Sequence, residues 1–237
     1  MLEKLAKQTA VYGISTIAVR FLSYLLTPVF TRVFEPEAYG IVTDVYALIP
    51  FALVVLTMGL ESAYFRFAAK ADAAAAAAGG TEGEIAAQAR AGKRRLFATA
   101  WGVTLLAASL FFLLTAFGRE RVAEWMGEAY VAHPEYVLLV AAVVWFDVAA
   151  CLPFSRLREQ GRAMTFVGIK ALGVVVNVAL AIGFALAGLY GTPFGVGWVF
   201  VANLIASAVT FNVILLTTDR TVPRIDRRLL ALSLIHI

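Results

Sequence analysis

Residues 166–188 read FVGIKALGVVVNVALAIGFALAG, and residues 195–217 read GVGWVFVANLIASAVTFNVILLT. Lys170 is the sole charged side chain in the two blocks. An α-helix rises 1.5 Å per residue, so roughly 20 apolar residues cross a hydrocarbon core of about 30 Å. Between the blocks, Tyr190 to Phe194 holds Gly191 and Pro193, a turn so short that the two helices must run antiparallel. This pair sets the reading for the whole chain, which is 61% hydrophobic and only 15% charged, with a mean hydropathy of +0.82. A soluble domain carries about 25% charged residues. Nothing alternates with period two over strands of about 10 residues, which argues against a membrane barrel. The fold class is all-α integral membrane.

Six spans are predicted, at about 9–31, 39–65, 96–118, 135–153, 166–188 and 195–217. Met1 to Lys7 is charged, and the apolar stretch after it is too long for a signal peptide, so it reads as a retained first helix. Arg32 to Ala38 holds the Glu35-Pro36 turn between spans one and two. The longest connection, 66–95, contains an alanine run read as a short surface helix, then Gly79-Gly80 as a hinge, then Arg90, Lys93, Arg94 and Arg95. Residues 1–217 are expected to form one six-helix unit and 218–228 a charged connector. Residues 229–237 begin a seventh apolar stretch, of which 232–237 reads as translated sequencing adaptor. With the N-terminus inside, 15 of the 20 basic residues fall in cytoplasmic segments and 3 in outer loops. That asymmetry sets the orientation. It also assigns the pI of about 9.3 to topology rather than to nucleic-acid binding.

Cys151 has no partner for a disulfide, and His133 and His236 lie too far apart in sequence to suggest a metal site. No HExxH, Walker A or GxGxxG pattern occurs, so no metal or cofactor is implied. The informative residues are charges at bilayer depth. Each costs at least about 2.5–3.5 kcal/mol to insert and normally faces a bundle interior or wet cavity. Arg20 lies near the middle of span one, and Thr16, Ser23, Tyr24 and Thr27 share its helical face. A guanidinium on a polar stripe suits an anionic group, since its fork binds phosphate bidentately. Asp44 and Glu61 in span two and Asp147 in span four are candidates for ion coupling or ion pairing. Arg66 is the expected local partner of Glu61. Asn177 and Asn203 read as interhelical hydrogen-bond partners, Pro28 and Pro50 as loosening spans one and two, and Gly168, Gly173 and Gly183 as allowing close helix approach.

Residues 8–67 carry a family resemblance. Thr31-Arg32-Val33-Phe34-Glu35-Pro36-Glu37-Ala38-Tyr39-Gly40 and Glu61-Ser62-Ala63-Tyr64-Phe65-Arg66-Phe67 resemble the turn between helices one and two, and the close of helix two, in bacterial polysaccharide-export flippases. These belong to the multidrug/oligosaccharidyl-lipid/polysaccharide transporter superfamily. The resemblance implies two six-helix lobes around a cavity that opens alternately to each side. It implies movement of polyprenyl-diphosphate-linked oligosaccharides across the bacterial cytoplasmic membrane, with the lipid-linked glycan and membrane lipids as partners. The family pattern has about twice as many helices, so this chain is expected to supply the N-terminal lobe and to lack a C-terminal one. Two other readings compete. One is a proton- or sodium-coupled drug or metabolite antiporter of the same superfamily, with Asp147 as its acid. The other is a membrane-embedded polyprenyl-phosphate sugar transferase. Glu120, Glu124 and Glu128 would serve that enzyme, but their spacing is explained by a solvated helix face, so a non-enzymatic transporter is favoured.

Overall fold

The computed structural model describes residues 26–218 together with Thr221 and Pro223. Nine α-helices and one 3-10 turn are found among them, without a β-strand. In chain order they are α1 (Thr27–Val33), α2 (Pro36–Thr57), α3 (Leu60–Ala78), α4 (Glu82–Phe117), α5 (Arg119–Met126), α6 (Glu128–Val131), α7 (Pro134–Glu159) and α8 (Ala163–Leu186). The 3-10 turn (Leu189–Gly191) and α9 (Gly197–Thr217) complete the set. Five helical stretches are long and apolar enough to cross a membrane: Pro36–Ala78, α4, α7, α8 and α9. The protein is an all-α, multi-pass membrane protein. Of the first expected span, 9–31, only α1 falls within the described residues.

Helix starts follow local chemistry. Pro36 and Pro134 open α2 and α7 in the first turn, where a missing N–H breaks no helical bond. Pro28, expected to loosen span one, occupies the same kind of position in α1. Pro50 lies inside α2, and Pro153 inside α7. Thr81 caps α4 reciprocally with Glu84. The Thr81 hydroxyl accepts from the Glu84 N–H at 3.4 Å, while the Thr81 N–H donates to the Glu84 carboxylate at 2.9 Å.

That cap changes the picture of residues 66–95. The alanine run is the continuation of α3, and Arg90 to Arg95 lie inside α4, so only Gly79, Gly80 and Thr81 are non-helical. Alanine has the highest helix propensity, and Thr81 with Glu84 supplies a start signal. The two helices therefore form a long hairpin that carries the basic residues at one end of the bundle. This end is the basic end; the opposite one, with α1, α5 and the 3-10 turn, is the far end.

α7 is central, packed mainly against α4 on one side and α9 on the other, and also touching α2 and α3. The Trp101 indole N–H donates to the Ala149 carbonyl at 2.9 Å, and that of Trp145 to the Ser109 hydroxyl at 3.1 Å, which stitches α4 to α7. At the far end Phe30, Phe34, Tyr136, Tyr190 and Phe200 form an aromatic core. Tyr190 lies 4.9 Å from Phe34, and Tyr136 5.5 Å from Phe200. The Tyr136 hydroxyl donates to the Phe194 carbonyl at 2.7 Å, pinning α7 to the turn before α9. Tyr64, Phe97, Trp101 and Leu152 form a second cluster toward the basic end. Outside these cores, Phe51, Val54, Leu114, Leu186 and Leu216 are exposed, an apolar girdle suited to lipid rather than water.

Of the three glycines read as close-approach sites, only Gly173 meets a neighbouring helix. A Cβ there would collide with the Thr210 hydroxyl of α9, whereas Gly168 and Gly183 face open space. Gly173→Leu is expected to lower stability by about 1–3 kcal/mol through overpacking, while Gly183→Leu stays near neutral. Melting temperatures of the two variants in the same detergent give the comparison.

Candidate functional site

Along α7, Asp147, Cys151, Ser155 and Arg158 recur at spacings of four, four and three residues, so they line one helical face. This polar face runs from the middle of α7 to its end at the basic side. Neighbouring helices bring further groups to it: Glu61 from the first turn of α3, Lys170 from α8 and Ser207 from α9.

Glu61 owes its position to a break in the helix. Met58 and Gly59 both adopt left-handed backbone, with φ of +47° and +66°. Glycine tolerates that conformation, whereas methionine does so at a cost. The break ends α2 and starts α3, placing Glu61 in a helical first turn, where the macrodipole favours negative charge. Its carboxylate makes an ion pair with the Arg158 guanidinium. It also accepts from the Ser155 hydroxyl at 3.0 Å, and the Cys151 thiol lies 3.7 Å away. Ser155 in turn accepts from Arg158 at 3.3 Å. The guanidinium is flanked by the rings of Phe65 and Phe166, at 5.2 and 5.7 Å.

Deeper along the same face, the partly buried Asp147 bonds Ser207 and lies within electrostatic reach of Lys170. The Lys170 ammonium lies 4.2 Å from the Phe154 ring and within electrostatic reach of Arg158 as well. Two cations and two carboxylates thus share one lane between apolar helices. A second polar node closes the basic end: Lys93 bridges Asp72 of α3 and Glu159 of α7, at 2.7 Å to each.

The residues expected from sequence distribute unevenly. Arg20, Thr16, Ser23 and Tyr24 lie outside the described residues. Thr27 is exposed at the start of α1, and its carbonyl accepts from the Thr31 hydroxyl at 3.0 Å. Asp44 is exposed on the far half of α2 and takes no part in the lane. It acts electrostatically on Tyr130 of α6, whose phenol is pushed up to about 12, by burial first and by Asp44 second. That phenol stays protonated and donates to the Ile41 carbonyl at 3.4 Å. Asn177 bonds Tyr46 across α8 and α2.

Glu61 and Asp147 do lie in the lane, but the expected Glu61–Arg66 pair does not form. Arg66 is exposed on α3, and the partner of Glu61 is Arg158, from a helix far along the chain. The reason is the left-handed break, which turns the first residue pair of α3 toward α7. Sequence reading missed Cys151, Ser155, Arg158 and Lys170 as a group. The available signal was the helical spacing from Asp147 to Arg158, together with a lysine inside an otherwise apolar span.

The family model described as polysaccharide biosynthesis protein matches residues 5–232, nearly the whole chain. No curated protein and no solved structure matches it significantly.

The lane makes Glu61 and Arg158 energetically coupled. Their side chains are 37% and 34% exposed, so solvent screens the pair and the coupling is about 1 kcal/mol. A double-mutant cycle of Glu61→Gln and Arg158→Gln, read as melting temperature in detergent, is expected to return that coupling. The same cycle with Arg66→Gln is expected to return none.

Proposed function

Because the chain belongs to the polysaccharide biosynthesis protein family, we propose that it moves polyprenyl-diphosphate-linked oligosaccharide across the bacterial cytoplasmic membrane. The observation that carries this reading is the lane of ionisable side chains set among apolar helices. Glu61, Asp147, Arg158 and Lys170 each carry an insertion cost of at least about 2.5–3.5 kcal/mol at the bilayer centre, less near the interface. A lane that spans from the basic end to mid-helix suits cargo with a strongly charged head and an apolar tail. Arg158 offers a fork for phosphate oxygens, and Lys170 a compact second charge further in. Arg20, at mid-span by sequence, would add a third cation.

In this reading the basic end faces the cytoplasm, in line with the distribution of Lys and Arg, and the N-terminus lies on the same side. Residues 1–217 act as one lobe, 218–228 as a connector, and a second lobe covers the lane and rocks against the first. Moving the opening, rather than the site, carries the cargo over. No bond is made or broken, so the function is transport rather than catalysis.

One observation favours a second reading. Asp147 faces Lys170 at mid-helix, an arrangement suited to an acid that exchanges protons or sodium in a coupled antiporter. Both readings are separated by one set of variants in the intact gene. Under the flippase reading, Arg20→Ala and Lys170→Gln each cut surface polysaccharide at least about tenfold, while membrane insertion stays normal. Arg20→Lys should restore little, because an ammonium does not reproduce the bidentate fork. Normal export by Arg20→Ala and Lys170→Gln, combined with loss of ion-driven efflux in Asp147→Asn, would instead establish the antiporter.

A further inference from the structure

We infer that Glu61 is a built-in stand-in for phosphate: its carboxylate holds the place on Arg158 that a diphosphate oxygen takes when substrate arrives. The inference rests on the transport reading above and adds a latch to it.

Carboxylate and phosphate oxygens are interchangeable acceptors for a guanidinium fork. Glu61 is seated as a ligand would be. It receives Arg158 and the Ser155 hydroxyl on one oxygen, and the Cys151 thiol lies against the other. Phe65 and Phe166 flank the guanidinium, which orients it independently of Glu61. A displaced carboxylate would therefore leave a prepared anion site behind. Lys170 supplies that site with a second positive charge. It is exposed, sits over the Phe154 ring and acts electrostatically on Arg158. A diphosphate carries more charge than one carboxylate and engages both cations, whereas Glu61 is engaged with Arg158. The exchange therefore favours the substrate.

The latch also has a hinge. Glu61 stands two residues after Gly59 and three after Met58, the left-handed pair at which the α2–α3 helix breaks. Torsion changes there swing the first turn of α3 without unfolding either helix. The Lys93 bridge to Asp72 and Glu159 is separate from the pair, so the distal part of α3 stays tied when Glu61 leaves. Release of Glu61 thus opens the basic mouth of the lane while the hairpin stays docked.

Cys151, the single cysteine of the chain, reports the event in the unmodified protein, because the Glu61 carboxylate packs against its thiol. The full chain is placed in nanodiscs of phosphatidylethanolamine, with or without phosphatidylglycerol, and Cys151 alkylation by a maleimide is timed. Saturating geranylgeranyl diphosphate is expected to speed labelling severalfold, and geranylgeraniol to leave it unchanged. Glu61→Gln is expected to label fast without ligand and to bind the diphosphate about tenfold tighter, a gain of about 1.4 kcal/mol. Arg158→Gln is expected to label fast and to bind at least about tenfold weaker.

If the diphosphate binds wild type but labelling does not change, the latch is overturned and the transport reading stands. The latch is equally overturned if Glu61→Gln binds no tighter. Should that variant fail to fold, the wild-type labelling comparison decides the matter alone. Acceleration by phosphatidylglycerol, with no further effect of the diphosphate, assigns the site to a phospholipid headgroup and overturns the substrate assignment. Failure of every form to bind the diphosphate overturns the latch and the transport reading together.

Discussion

Arg158 and Glu159 stand side by side at the end of α7, and each grips a different neighbour with opposite polarity. Arg158 holds Glu61 of α3, and Glu159 holds Lys93 of α4, which in turn holds Asp72 of α3. Helices in lipid gain little from apolar contact with one another, since the surrounding tails are equally apolar. Directional polar contacts therefore have a larger say in how α3, α4 and α7 meet. Around this clasp the aromatic clusters take up the remaining shape: Tyr64, Phe97 and Trp101 beside it, and the Tyr136–Tyr190 group at the far end.

The same pairing of opposite charges continues along the lane. Each charge has an answering group: Glu61 with Arg158, Asp147 with Ser207 and Lys170, Glu159 with Lys93. Breaking such a pair by deleting one partner leaves a charge exposed to a poor solvent, whereas exchanging one anion for another does not. The proposed transport of a charged lipid calls for the second kind of event, repeated many times.

The all-α membrane class was legible because hydrophobic length is a property of contiguous residues. The hairpin of α3 and α4 was less so. Its arginines and lysines look like a connecting loop by hydropathy, yet alanine-rich sequence with a Thr81–Glu84 cap is strongly helical in water as well as in lipid. The site was legible only in part. Asp147 and Glu61 stand out as acids in apolar surroundings, but the partner of Glu61 depends on two backbone torsions at Met58 and Gly59. Glycine there announces a break without giving its direction. Nearest-in-sequence reasoning therefore chose Arg66 on the same helix, while the fold chose Arg158. Lys170 was visible as a lysine in a span, and only the packing of α8 beside α7 connects it with Asp147.

α4 runs unbroken for 36 residues, about 54 Å at 1.5 Å per residue. Its first 14 residues or so, from Glu82 through Arg95, extend roughly 21 Å beyond the apolar part. A rod of that length is a lever: a tilt of about 10° at the edge of the bilayer moves the Gly79-Gly80 tip by roughly 4 Å. Small rearrangements among buried side chains are thereby magnified into displacements at the tip of the basic end. The gearing also works in reverse, so a modest push on the tip exerts a larger force over a shorter distance at the base of the helix.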